Sequence, residues 1–345
     1  MNIQTVNFKE TSFVSVTNPE TLEEKYLKNN FGFNQLHLDD YINKTQIAKI
    51  ESFRDYTLVV LDFPFFSSSG YPPAREEDKP KSILRGKLLN IPSKPLSSVS
   101  FPQFMPSEKK RRIFSNQVDF FIGKDYLVVI HDGLLQPINH IFSECQKTLR
   151  NREEYMGEGS VFLAYRIIDA LVDSCFPAIN EITSIIDKID KQLEGKQSEN
   201  TIEDISTTRR NIVVFHTIIK PILQLLQQLE EGVYKQLNGK MQPFWGNISD
   251  HIQKIMERIE DSRELIEGIS ESNESLLSYR NNELVKFFTI ITSVSFPFII
   301  VNNLYSMNVV GLPYAQYPWI VWILFGIIFV AGVIIIVYFK IRKWI

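Results

Sequence analysis

The apolar positions of the chain follow three rhythms in turn, and each predicts a different kind of element. Up to about residue 136 they alternate with polar ones over short runs. "TSFVSVT" (11–17), "YTLVVLDFPFF" (56–66) and "VDFFIGKDYLVVIHDG" (118–133) read as strands, the second ended by Pro64 and the third a hairpin turning at Gly123 to Asp125. Asn18 and Pro19 open a helix over "ETLEEKYLKNN" (20–30). Residues 67–115 keep no rhythm and are heavy in Ser, Pro and Lys. Such a segment buries little apolar surface and is expected to be a long polar insertion, exposed or partly disordered, with "KKRR" at its end a solvated loop.

From about Pro137 the period lengthens to that of a helix. "VFLAYRIIDALVDSCFPAINEITSIIDKIDKQLEGK" predicts one helix stopping near Gly195, and "IEDISTTRRNIVVFHTIIKPILQLLQQLEEGVYKQL" a second, interrupted at Pro221. A third begins near Pro243 and meets no further proline until Pro297. If continuous it is roughly 90 Å long at ~1.5 Å per residue. A rod of that length needs other helices or other subunits beside it. Ile252, Ile255, Ile259, Ile266 and Ile269 give it one apolar face for packing.

The third rhythm is continuous. Between Lys286 and Lys340 no residue carries a formal charge. Phe287 to Leu304 and Pro318 to Phe339 each approach the ~20 residues that cross a bilayer's hydrocarbon core, so both are expected to span a membrane. Trp319, Trp322, Tyr338 and Trp344 fit interfacial aromatic belts. Arg280 and Lys286 flank the first span, Lys340, Arg342 and Lys343 follow the second, and the loop between has neither Lys nor Arg. That asymmetry puts both termini in the cytoplasm, and the N-terminus lacks the apolar core of a signal peptide. The expected order is a mixed α/β domain over 1–136, helices over 137–242, a stalk helix over 243–286, a first span over 287–304, an external loop over 305–317, a second span over 318–339 and a basic tail over 340–345. The fold class is an α+β membrane protein of the cell membrane.

Composition removes several functions. The 345 residues carry a formal net charge of −3, with 22% charged, and Lys and Arg build no dense basic face, so nucleic acid is not an expected partner. Cys145 and Cys175 have no ligand-like spacing and read as buried free thiols. There is no Walker A loop, Gly-x-Ser-x-Gly elbow, His-Glu-x-x-His or dinucleotide fingerprint, so neither an enzyme nor a cofactor is expected. His37 with Asp39 and Asp40, or His131 with Asp132, could bind a metal, though ordinary loop or strand-end positions explain them as well; His251 reads as a stalk surface residue.

The third helix holds the candidate chemistry. Glu260, Glu264, Glu267, Glu271, Glu274, Ser278, Asn282, Val285, Phe288, Thr292, Phe296, Ile299 and Asn303 recur every three or four residues, on one side of one helix. Like-charged i,i+4 pairs cost a few tenths of a kcal/mol each. Two readings stand: a solvated acidic face that becomes lipid-packed surface, or a cation path from carboxylates into a narrow hydroxyl, amide and apolar channel. Asn302, Asn303 and Asn308 at the lip of hydrocarbon favour the second, because amides there must face protein or water. Two spans enclose no pore, so the path requires an oligomer, with the near-uniformly apolar second span facing lipid. A ring of Asn308 amides would offer neutral oxygens to the water shell of Mg²⁺, which dehydrates reluctantly.

"ELVKFFTIITSVSFPFIIVNNLYSMN", the short loop, the second span and the terminal "VYFKIRKWI" resemble the CorA family of divalent-cation channels, as do "RDYTLVVLDFP", "QVDFFIGKDYLVVIHD" and "YRIIDALVDSCFPAINEI". The family's Tyr-Gly-Met-Asn hallmark is answered by Tyr305, Ser306, Met307 and Asn308. The resemblance implies a funnel-shaped homopentamer in the bilayer, with Mg²⁺ as the transported and regulatory ion. It also implies Asn308 as the ring holding a hydrated cation, Tyr305 and Met307 shaping its loop, Asn282, Val285, Phe288, Phe296 and Ile299 lining the pore, and Glu271 guarding the cytosolic mouth. Ser306 replaces the hallmark Gly and would be strained if that site needs positive φ. The loop lacks an acidic residue, and Asn247 stands where members can carry an Asp that binds regulatory Mg²⁺, so only weak protection from proteolysis by Mg²⁺ is expected. Transport of Zn²⁺, Co²⁺ or Ni²⁺, and a membrane scaffold that has lost conduction, remain alternatives.

Overall fold

The computed structural model describes residues 2–43, 48–67, 111–193, 199–307 and 317–342. The chain divides into two compact units, Met1–Ile269 and Ser270–Ile345. The first is built on a six-stranded sheet: β1 (Ile3–Phe8), β2 (Thr11–Thr17), β3 (Lys49–Ser52), β4 (Tyr56–Ser67), β5 (Arg112–Gly123) and β6 (Tyr126–His131). Its order is β1-β2-β6-β5-β4-β3, and every neighbouring pair is antiparallel except β2 with β6. The hairpin expected at Gly123 to Asp125 is present. A Cβ on Gly123 would collide with the Tyr126 ring, which is why glycine closes β5.

Alternate residues of the strands enter two cores. Phe13, Val59, Leu61, Phe120 and Val129 meet the longer run of helices, and Phe13 meets Phe142 edge-on at 5.0 Å. Val14, Val16, Leu58, Val60 and Phe121 meet α1 (Thr21–Phe31) and α2 (Gln35–Asn43), whose Phe31–Phe33 junction stacks on Phe121 at 4.3 Å through Phe33. α1 begins two residues later than Asn18–Pro19 suggests. Glu20 is its N-cap, and the Glu23 carboxylate accepts from the backbone N–H groups of Glu20 (3.2 Å) and Asn2 (3.0 Å), while Asn18 makes a left-handed turn (φ 46°).

Three prolines correct the expected elements. Pro64 does not end β4, which runs to Ser67. Among the described residues β3 pairs with Thr57–Val60 alone, and Pro64 stays in register with Ser115 of β5 with no described strand on its other side, an edge-like site that tolerates the missing N–H. The strands therefore reach into the polar segment from both ends, with Ser67 in β4 and Arg112 to Ser115 in β5; residues 68–110 lie outside the described residues. After α3 (Gln136–Lys147) and α4 (Leu149–Met156), the single helix expected near residues 161–195 is two, α5 (Ser160–Asp173) and α6 (Cys175–Leu193). Pro177 explains the break: its ring clashes with the carbonyl four residues back, at Asp173, where α5 stops. Pro221, by contrast, does not interrupt α7 (Glu199–Glu230). Ile218, Ile219, Ile222, Leu225 and Leu226 are buried on both sides of it, and each such side chain is worth ~1.5–3 kcal/mol, enough together to outweigh a proline cost of ~3 kcal/mol.

A 3-10 turn (Gly239–Met241) leads into α8 (Gln242–Ser306), a 65-residue helix that contributes to both units. In the first unit its Trp245, Ile248, Ile252, Ile255, Ile259, Ile266 and Ile269 are buried, including all five isoleucines of the expected apolar face. The second unit holds the rest of α8 and α9 (Pro318–Ile341). Among the described residues three helical segments are long and apolar enough to cross a membrane: Thr201–Glu230, Gly239–Leu304 and Trp322–Ile341. The first is α7, whose apolar face fills the sheet's core; the most apolar window of α8 has none of its residues buried and that of α9 6%.

Candidate ion path and a carboxylate-histidine cluster

In the second unit α8 has two sides. Ile290, Ser293, Val294, Pro297, Phe298 and Val301 are half-buried, the side on which Phe298 stacks with Phe325 of α9 at 6.0 Å and Val294 closes on Gly332. The other side carries the stripe. Val285 (62% exposed), Phe288 (62%), Phe296 (56%) and Ile299 (52%), with Glu271, Asn282, Thr292 and Asn303, are all exposed in the single protomer. Apolar side chains this exposed on a helix whose partner packs elsewhere need lipid or further copies of the chain.

The polar members of this side have defined bonds. Thr292 Oγ1 donates to the Phe288 carbonyl (2.8 Å), and Thr289 Oγ1 to that of Val285 (2.7 Å). Ser306, the last residue of α8, does not adopt positive φ, and its hydroxyl donates to the Asn302 carbonyl at 2.7 Å. The strain foreseen for a Ser at the hallmark position is absent because the helix continues through it. Met307 is 56% exposed, Tyr305 is helical, and Asn308 with the loop residues up to 316 lies outside the described residues. In the first unit Glu260 and Glu264 are exposed, whereas Glu267 Oε1 takes the guanidinium of Arg263 at 3.0 Å, which offsets part of the acid run.

A second arrangement lies wholly in the first unit. α5 carries Asp169 and Asp173 one turn apart, and α8 brings His251 against them: one ligand atom from each lies within 4.8 Å of the others. His251 Nδ1 stands 3.3 Å from Asp173 Oδ1 without the alignment of a hydrogen bond. Asp169 Oδ1 is buried without a hydrogen-bond partner. Burial first, then repulsion from Asp173, raise the Asp169 pKa, and His251 and Arg166 oppose them. Two carboxylates and an imidazole that lack internal hydrogen bonds suit a divalent cation, which would relieve that repulsion. Beside them opens a cleft of about 550 Å³ lined also by His140, Tyr155 and Arg166. The spacing Asp169-x-x-x-Asp173 was legible as one face of a helix; its meeting with His251 was not, and His251 is not the plain surface residue expected. Asn247 is exposed.

Of the other histidine candidates, His131 is structural. His131 is fully buried; its Nδ1 accepts from the Gly133 N–H (3.1 Å), which leaves Nε2 to donate to Ser15 Oγ (3.0 Å), so no lone pair remains for a metal. Burial lowers its pKa to about 4. His37 is buried between Tyr56 OH, 3.1 Å from Nδ1, and Glu51, 3.6 Å from Nε2; the side chains of Asp39 and Asp40 lie outside the described residues. Cys145 and Cys175 are free and buried, as expected, and burial pushes their thiols up to about 11 and about 12.

Residues 96–343 match the family described as CorA-like Mg²⁺ transporter protein. The cobalt/magnesium transport protein CorA of Thermotoga maritima is 24% identical over 315 residues, covering 91% of this chain and 77% of its own length. Among solved structures, the complete CorA magnesium transporter of Methanocaldococcus jannaschii superposes with a TM-score of 0.71 at 17% identity, over 99% of this chain and 94% of that one. A full-length CmaX protein does so with a TM-score of 0.63 at 16% identity, over 97% and 88%.

Proposed function

Because the chain belongs to the family of CorA-like Mg²⁺ transporter proteins, and so is a membrane transporter of divalent cations and not an enzyme, we propose that it conducts hydrated divalent cations, Mg²⁺ foremost, through an axial path enclosed by five copies. The observation that carries this reading is the division of α8 into two sides: α9 takes one, and the side bearing Val285, Phe288, Thr292, Phe296, Ile299 and Asn303 stays exposed. Five such sides turned inward would shelter these residues from lipid and surround water. In this reading Glu271 and Asn282 form the cytosolic approach, α9 faces lipid, and both termini are cytosolic. Tyr305, Ser306 and Met307 lead to a ring of Asn308 amides that accepts hydrogen bonds from the ion's water shell. The membrane potential drives entry, at about 2.3 kcal/mol per elementary charge per 100 mV.

Asp169, Asp173 and His251 are the residues proposed to hold a regulatory cation in the cytosolic unit. Bound there, the ion would bias the oligomer toward one arrangement to the extent that it binds that arrangement more tightly. Co²⁺ is the second cargo to consider, because the Thermotoga relative carries cobalt in its name. The two spans contain neither His nor Cys, which favours recognition through water over direct binding of a borderline metal. Protein reconstituted into liposomes holding a Mg²⁺-sensitive dye is expected to admit the ion, and Asn308→Ala to abolish entry. Equal leak through both proteins contradicts the reading.

A further inference from the structure

Resting on the transport reading above, we propose that Thr292 and Ser306 are specificity-determining hydroxyls whose protons are committed to the helix, so that they offer the path only oxygen lone pairs. Thr292 Oγ1 donates to the Phe288 carbonyl at 2.8 Å, and Ser306 Oγ to the Asn302 carbonyl at 2.7 Å. A carbonyl only accepts, so the direction of both bonds is fixed. The two residues fall on the side of α8 defined by Phe288, Phe296, Ile299 and Asn303, since 288, 292, 296, 299, 303 and 306 advance by threes and fours. Both are exposed.

A free hydroxyl rotates and can point its proton at whatever passes. One committed to the carbonyl a turn below cannot, without giving up that bond, and what remains outward is an acceptor. The waters around a cation turn their hydrogens outward, and those around a divalent ion are the more strongly polarised. An acceptor ring of fixed polarity therefore favours a hydrated divalent cation over a monovalent one, and repels the outward-facing oxygens of an anion's shell. Thr292 supplies this within an otherwise apolar stretch between Phe288 and Phe296, and Ser306 supplies it one turn beyond Asn303. At Ser306 the hallmark glycine would provide no side-chain oxygen.

The test is paired flux in liposomes of the full-length protein and four variants: Thr292→Val, which keeps shape and removes the oxygen, Thr292→Ser, which restores it, and Ser306→Ala with Ser306→Thr likewise. Mg²⁺ and K⁺ entry are measured in each. Loss of one net hydrogen bond in the barrier predicts a fall in the Mg²⁺-to-K⁺ ratio of about fivefold to tenfold for Thr292→Val and Ser306→Ala, with recovery in the Ser and Thr variants. An unchanged ratio, whether both fluxes hold or both fall together through damage to the helix, overturns the inference while leaving transport standing. A wild-type protein that admits no Mg²⁺ sinks the transport reading and this inference with it.

Discussion

At the scale of residues, burial decides which titratable groups can act. His131 is neutral in the fold because burial holds its pKa near 4, against ~6.5 when unfolded. The unfolded chain then binds the extra proton between those values, so stability is complete above about pH 6.5 and is lost as pH falls toward 4. The shift corresponds to ~3 kcal/mol. Thermal melts of the detergent-solubilised protein are expected to show that slope between pH 6.5 and 4.5, and His131→Gln to be less stable at neutral pH with the slope reduced. An unchanged slope in the variant would show that other groups set it. His251 belongs to the opposite category, half-buried beside Asp169 and Asp173 with no hydrogen bond at Nδ1. Imidazole suits Co²⁺ better than Mg²⁺. His251→Ala should therefore weaken Co²⁺ binding in isothermal titration by about tenfold or more and Mg²⁺ binding less; equal loss for the two ions would mean that the imidazole does not touch the metal.

At the scale of elements, α8 changes what it is for along its length. Its isoleucines from Ile248 to Ile269 fill the first unit's core, whereas Val285, Phe288, Phe296 and Ile299 further along are exposed. Ile255→Ala is expected to cost ~2–5 kcal/mol of the first unit's stability, as a large-to-small change in a packed core does. Val285→Ala should leave that unit's melting transition in place; if it shifts the transition as far as Ile255→Ala does, the division of the helix is wrong. Much of this was legible in the sequence, because a period of 3.6 and a charge-free run are written into residue order. What escaped was set by contacts distant in sequence. β1, α2 and β3 are too short or too polar to announce themselves and exist by pairing with β2 and β4 or by covering Phe121 and Val60. Proline gave one signal and three outcomes: Pro177 parts α5 from α6, Pro221 is carried within α7 by buried neighbours, and Pro64 stays within β4, in register with Ser115 of β5. Local chemistry names the penalty, and only the surroundings say whether it is offset. The metal-capable cluster was hidden for the same reason, since Asp169 and His251 lie on different helices.

At the scale of the whole molecule, the account needs several copies of the chain. A single protomer leaves Phe288, Phe296 and Ile299 exposed on a helix that is apolar enough to span a membrane. If the protein is a monomer in native nanodiscs, these residues face lipid and no path exists. Two features make a direct measurement possible. The two natural thiols, Cys145 and Cys175, are buried with raised pKa values, so thiol reagents should leave them untouched. The two sides of α8 also differ by only one or two positions in sequence. The decisive measurement is Mg²⁺ flux through reconstituted single-cysteine variants, Phe288→Cys, Phe296→Cys and Ile299→Cys against Ile290→Cys, Val294→Cys and Phe298→Cys, before and after a charged, membrane-impermeant thiol reagent. The account predicts that modification blocks flux in the first three and spares the second three; block confined to the second three, or flux untouched in all six, would contradict it.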